Sequence, residues 1–118
     1  MAPGHIGGIA MQFLVLTKAA TTNLPPQVTL QLVRQTFEMA IEKREPRIKQ
    51  AFSFAGERAG AYVIEVGSAE ELSDVISDLP FSGVVDVTIH ALTTLEQSLK
   101  TVKKAEQRVA QMAPAMGR

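Results

Sequence analysis

The stretch DLPFSGVVDVTIHAL, Asp78 to Leu92, holds the residue types best suited to chemistry in this chain. It reads as a turn followed by an alternating strand. Val85, Val87, Ile89 and Ala91 fall on one face, and Asp86, Thr88 and His90 on the other. His90 is one of two histidines, His5 being the second. It is the only side chain in the expected folded region that titrates near neutrality unaided. That makes it the first candidate for proton transfer, with Asp86 as a supporting acid and Thr88 as a hydrogen-bonding group for a small molecule. Asp86 and His90 lie about 13 Å apart along an extended strand, so Asp86 cannot orient the imidazole directly. A partner for His90 must come from a neighbouring strand or another subunit. Two simpler explanations compete: a polar strand end resting in water, and a cross-strand ion pair of Asp86 with Lys18.

The whole chain narrows the options. Its 118 residues fit one domain, and 46% hydrophobic with 20% charged residues supports one modest core. Twelve basic and twelve acidic residues cancel, so no net field draws nucleic acid or anionic lipid. The absence of cysteine excludes disulfides, thiolate catalysis and cysteine metal sites. Two histidines in separate segments cannot build a multi-histidine metal centre within one chain. No apolar run approaches membrane-spanning length, and MAPGHIGGIA is a poor signal peptide. The expectation is a cytoplasmic protein without nucleic-acid or membrane partners.

The positioning elements follow from pattern. Residues 1–10 are glycine-rich, without period, and read as a flexible extension. MQFLVLTKA is a first strand, continuous enough to be buried on both faces. Pro25 and Pro26 suit a helix start. TLQLVRQTFEMAIEKRE then reads as a helix with Leu30, Val33, Phe37, Ala40 and Ile41 on its inner stripe, ended by Pro46. IKQAFSFA and AYVIEV are two strands joined by the GERAG hairpin. SAEELSDVISDLP is a short helix with a Ser68–Glu71 capping box and Leu72, Val75, Ile76 and Leu79 inward. GVVDVTIHAL is the fourth strand. Thr93 and Glu96 cap a final helix whose stripe is Leu95, Leu99, Val102, Ala105, Val109 and Met112. This stripe needs either the chain's own sheet or a partner subunit to cover it.

The order strand-helix-strand-strand-helix-strand predicts an α+β, ferredoxin-like fold over residues 11–92, with an amphipathic helix and tail over 93–118. Right-handed crossovers put strands one and three in the centre and strand four beside strand one. Helices cover one face of such a sheet, and two sheets packed across a two-fold axis would cover the other.

The segments MQFLVLTKAATTNLPPQ and FAGERAGAYVIEVGSAEELSDVISDLPFSGVVDVTIHAL, in that order, resemble the muconolactone delta-isomerase family over about Met11–Leu92. The carriers are the first strand with its following Leu-Pro, the Ala-Gly hairpin, the SAEEL helix start, and LP before an Asp-bearing strand. The resemblance implies two ferredoxin-like chains forming a dimeric α+β barrel, able to assemble into larger homo-oligomers. It implies a cofactor-independent isomerase of aromatic catabolism that moves a proton on a lactone, which needs an acid/base group. Asp86 matches the family's strand-four aspartate. The chain departs from the pattern at Leu16, Gln50, Glu57 and Ser73: a basic residue stands in family members at the first of these positions, and histidines at the others.

His90, Asp86 and Glu65 are therefore the catalytic candidates. Glu65 shares strand parity with Ala61 and Val63 and lies opposite Tyr62, which reads as core. Lys18, Thr88 and Arg58 are the candidates for substrate binding, because an anionic lactone needs a cationic clamp that only Lys18, Lys49 or Arg58 offers. A homodimer or larger homo-oligomer acting on a small molecule is expected, with no metal or cofactor. Two other functions fit the fold: a non-catalytic small-molecule-binding or assembly module, and a cofactor-free oxygenase or cyclase.

Overall fold

Phe13, Val15 and Thr17 are buried along the first strand, β1 (Met11–Ala19), while the alternating Leu14 and Leu16 are only half-buried. The strand is thus one-sided, where an apolar run had suggested burial on both faces. The computed structural model describes residues 10–112, so the expected leader and the tail beyond Met112 lie outside the described residues, apart from Ala10. After β1 come α1 (Pro26–Ile41), β2 (Ile48–Ser53), β3 (Ala59–Val66), α2 (Ala69–Asp78), β4 (Val85–Leu92) and α3 (Leu95–Met112). The four strands form one antiparallel sheet in the order β2-β3-β1-β4, the ferredoxin-like topology expected from element order.

Helices α1 and α2 cover the face that carries Phe13, Val15, Tyr62, Ile64 and Val66, and Leu72, Val75, Leu79, Phe81 and Val84 complete that core. Tyr62 meets Phe81 edge-to-face at 6.0 Å, a favoured aromatic geometry. Burial pushes the Tyr62 hydroxyl pKa up, which keeps it a neutral core residue.

The inner face of α1 is rotated from the expected stripe. Leu32, Val33, Met39 and Ala40 pack on the core around buried Thr36, while Leu30, Phe37 and Ile41 are exposed. The reason is a polar contact that apolar periodicity cannot register. The Thr36 hydroxyl donates to the Leu32 carbonyl (3.0 Å) and accepts the Phe81 amide (3.0 Å), tying α1 to the segment that starts β4. Helix α1 also ends four residues before the expected Glu45. Lys43 takes a left-handed conformation (φ 56°), Arg44 N–H bonds the Met39 carbonyl and Lys43 N–H the Ala40 carbonyl. That is a Schellman closure, ahead of any effect of Pro46.

Each helix start departs from its expected capping box by one residue, α2 in one arm and α3 in the capping residue itself. Ser68 Oγ accepts the Glu71 amide as expected, but the Glu71 carboxylate reaches the Gly67 amide (2.7 Å). At α3 the cap is Thr94, whose hydroxyl accepts the Gln97 amide (3.0 Å), in place of Thr93.

Arg47 binds the α1–β2 loop to α2. Its guanidinium grips Glu45 at 2.9 and 2.6 Å and reaches Glu71 at 3.2 Å. The Arg47 hydrogen bonds hold the Glu45 carboxyl below its usual range, and the Gly67 amide, then Arg47, do the same for Glu71. Carboxylates with lowered folded pKa values stabilise the fold above their unfolded values, and that contribution is lost as pH falls through the folded values.

Two outcomes follow. Thr36→Val strands the buried Phe81 amide and is expected to lower unfolding free energy by about 1–3 kcal/mol, read by urea denaturation. Arg47→Met is expected to lower Tm by roughly 2–5 °C at neutral pH. In a Tm-versus-pH series that deficit should shrink as pH falls through the lowered folded pKa values of Glu45 and Glu71, where both carboxylates protonate.

Candidate active site on the uncovered sheet face

Strand parity fixes which side chains share the face that no helix covers. Residues paired directly across antiparallel strands point the same way. Lys18 pairs with Ala59 and Asp86, Leu16 with Ala61 and Thr88, Leu14 with Val63 and His90, and Gln12 with Glu65 and Leu92. On β2, Phe52 pairs with Ala61 and Gln50 with Val63, beyond a register shift between Ile48 and Gln50. The face therefore has an apolar middle of Leu14, Leu16, Ala61, Val63 and Phe52. Lys18 with Asp86 closes one end and Gln12 with Glu65 the other. Thr88 and His90 run down the β4 side.

This arrangement resolves the parity of Glu65, which lies on the same face as His90, opposite core Tyr62. Gln12 Nε2 donates to Glu65 Oε1 at 3.1 Å. Gln12 and Phe52 are face residues that the sequence reading had not singled out, although Gln12 stands two positions before Leu14 in a strand and its parity was available.

The structure brings some candidates together and holds others apart. Asp86 is directly opposite Lys18. His90 and Glu65 are separated by two strand spacings and two residues, about 12 Å between Cα atoms. Asp86 lies about 13 Å from His90 along β4. The Cα atoms of the three catalytic candidates are therefore about 12 Å or more apart within one chain. All of Asp86, Thr88 and His90 are exposed.

A cleft of about 480 Å³ opens at the Lys18 end, lined by Lys18, Ala19, Ala20, Thr21, Glu57, Arg58 and Ala59. The β2–β3 hairpin brings Arg58 there. Its carbonyl accepts the Ala19 amide (2.9 Å), and Phe54 N–H bonds the Ala59 carbonyl (2.9 Å). Gly56 adopts φ 79° in the turn, a conformation that glycine takes without strain. Gly60 is needed for another reason, since a Cβ there would stand 2.6 Å from the Phe52 carbonyl oxygen. Strand β1 and the β2–β3 hairpin thus deliver two cations, Lys18 and Arg58, to one opening. Lys49, the third possible cation, sits at the β2 irregularity and does not line it. Of the positions where the family pattern differs, Leu16 and Gln50 lie on the uncovered face, Glu57 lines the cleft, and Ser73 is exposed on α2. Among the described residues no group of three or more His, Asp or Glu side chains could hold a metal ion, and no helix is long and apolar enough to cross a membrane.

The fold and the sidedness of the sheet define a ferredoxin-like α+β protein with one uncovered, mixed apolar and polar face. Residues 11–98 match the family model for muconolactone delta-isomerase, and the chain belongs to that family. A crystal structure of muconolactone isomerase is similar at 27% identity and a TM-score of 0.60, over 71% of this chain and 90% of that one. A leucine response regulatory protein (LrpA) of Mycobacterium tuberculosis aligns at 15% identity and a TM-score of 0.46, over 71% of this chain and 51% of that one. A feast or famine regulatory protein from M. tuberculosis complexed with L-methionine aligns at 18% and 0.48, over 77% and 52%. These two likenesses are too distant to bear on function. A search of curated proteins found no significant match.

Gly60→Ala should force β2 from β3 and displace the hairpin that carries Arg58. The expected cost is about 1–3 kcal/mol, the range for overpacking, read as a lower urea midpoint with the largest amide shifts in residues 52–60.

Proposed function

We propose that this protein is a cofactor-independent isomerase of the muconolactone isomerase type, moving a proton on a small anionic lactone or related cyclic carbonyl compound. The observation that supports it most is the family match, which spans the entire βαββαβ unit, the uncovered face included. In this reading two copies set their uncovered faces together as a dimeric barrel. Facing sheets stand about 10 Å apart, close enough for a ligand between them to meet groups from both. The partner sheet then supplies what one sheet lacks, a second proton-transfer group within reach of the ligand.

The roles follow from position. His90 removes a ring proton and returns it at another ring carbon, with no net change in composition or oxidation level. Asp86 and Glu65 act as supporting acids at the two ends of the face. Lys18 and Arg58 clamp the substrate carboxylate at the cleft, and Thr88, between them and His90, hydrogen-bonds the lactone. The ring rests on Leu14, Leu16 and Val63. Water is excluded there, which strengthens each polar contact. The reading places the protein in the cytoplasm, in the breakdown of aromatic compounds. With Leu16, Gln50 and Glu57 at positions where family members are basic or carry histidine, recognition of the anion falls to Lys18 and Arg58.

A second reading rests on the apolar middle of the face: a binding module that holds a small molecule without transforming it. Proton NMR in heavy water separates the two. With muconolactone, the isomerase incorporates deuterium into the ring and yields the enol-lactone. His90→Ala should cut kcat by about 10²–10⁴-fold. Lys18→Met should mainly raise KM, by roughly tenfold for the loss of one charge-assisted contact. Deuterium exchange and product both absent at high protein concentration would reject the isomerase reading and leave the binding module.

A further inference from the structure

Among the described residues, no element covers the apolar side of helix α3. None of its residues is buried, Ser98 alone is half-buried, and Leu95 (83% exposed), Leu99 (53%), Val102 (54%), Val109 (65%) and Met112 (55%) line one side. It is also where the sequence departs from the family, because the matched segment ends at residue 98. An 18-residue helix is near the length at which an isolated helix is marginal in water, so the stripe needs a partner.

The period of the stripe says what kind. Leu95, Val102 and Val109 recur every seven residues, as do Ser98, Ala105 and Met112 three positions later. This is an a/d repeat over two and a half heptads, with Ser98 its one polar member and Leu99 widening it at e, a pattern that suits packing on another helix. A parallel pair would stack Ser98 on Ser98 and Ala105 on Ala105, leaving under-filled layers next to full ones. An antiparallel pair sets Leu95 against Met112, Ser98 against Val109 and Val102 against Ala105, then repeats them in reverse. Every layer then contains at least one large side chain, and small residues face large ones. The same arrangement opposes the helix dipoles favourably, and Leu99 lies over the aliphatic stem of Glu106 at the flank.

We infer that α3 is a self-association helix, pairing antiparallel with α3 of a second copy of this chain through the layers Leu95–Met112, Ser98–Val109 and Val102–Ala105. The helix is about 27 Å long and roughly 10 Å across, so its footprint is near 270 Å², against about 800 Å² per partner in a standard interface. The pairing is too small to hold two chains alone. It acts as an added contact between copies already brought together by their sheets, and to that extent rests on the assembly proposed above.

The chain has no cysteine, which gives a clean background for cross-linking. Full-length Val102→Cys and Ala105→Cys chains, differently tagged, are co-expressed and mildly oxidised, with light-scattering mass measured on the same samples. The inference expects several-fold more covalent dimer from the mixture than from either variant alone. It also expects cross-linking of Leu95→Cys with Met112→Cys to be abolished when Val102→Glu, at an exposed position, is added to both chains. Equal cross-linking of each variant with itself would overturn the antiparallel register. An oligomer by mass without any cross-link would overturn the α3 pairing and leave the sheet assembly standing. A monomer by mass would overturn both.

Discussion

The two-residue period of β1 is the constraint on which the remaining structure depends. β1 is a central strand, paired on both sides, so its parity is imposed on β3 and β4 at every rung. Once Phe13, Val15 and Thr17 turn toward the helices, Tyr62, Ile64 and Val66 must follow on β3. Val87, Ile89 and Ala91 must follow on β4. Lys18, Leu16, Leu14 and Gln12 are then committed to the other face, with Asp86, Thr88, His90 and Glu65. A slip of one residue would put the charged set into the core, which is why the register is strongly specified.

The same constraint leaves one face of the sheet without a layer of helices. One layer of helices can satisfy one face of a sheet. The chain has two packed helices, and both are spent on the core side. The third, α3, does not return to its own sheet. What remains is a face whose centre is aliphatic and whose margins are charged, flanked by two edge strands, β2 and β4, with unpaired backbone groups. A polar margin around an apolar centre is the ordinary anatomy of a recognition surface. The face is therefore accounted for by an occupant, a second sheet or a ligand, better than by exposure to water.

Much of this was legible in the sequence. The order of elements, the hairpin and the alternation in β4 each rest on local pattern, and they reproduced the topology and the face shared by Asp86, Thr88 and His90, while the family came from the resemblance of the quoted segments. The failures have two physical sources. The α1 stripe was misread because Thr36 is counted as polar, yet its hydroxyl is satisfied by Leu32 and Phe81 and so can be buried. The closeness of Lys18 and Arg58 was not visible from spacing, because β1 and the hairpin are brought together only by the sheet. Non-local contacts decided both. The end of α1 was misread for a local reason, because a left-handed Lys43 leaves no compositional mark, while Pro46 does.

The separation of His90, Asp86 and Glu65 bears directly on how a face of this kind could work. Their Cα atoms stand about 12 Å or more apart, so the proposed reading looks to a facing surface for the second proton-transfer group. What a single sheet does provide is a graded surface: a cationic opening at Lys18 and Arg58, an apolar floor, and a titratable group beside Leu14 at the far side. Such a surface can orient an anionic ring compound by its carboxylate and present the opposite side of the ring to His90. Positioning is then encoded within one chain, while the completion of any acid/base pair is left to the surface that covers it. The proposed isomerase would thus link its chemistry to its assembly, because the contact that buries the aliphatic centre would be the same contact that brings the second proton-transfer group within reach.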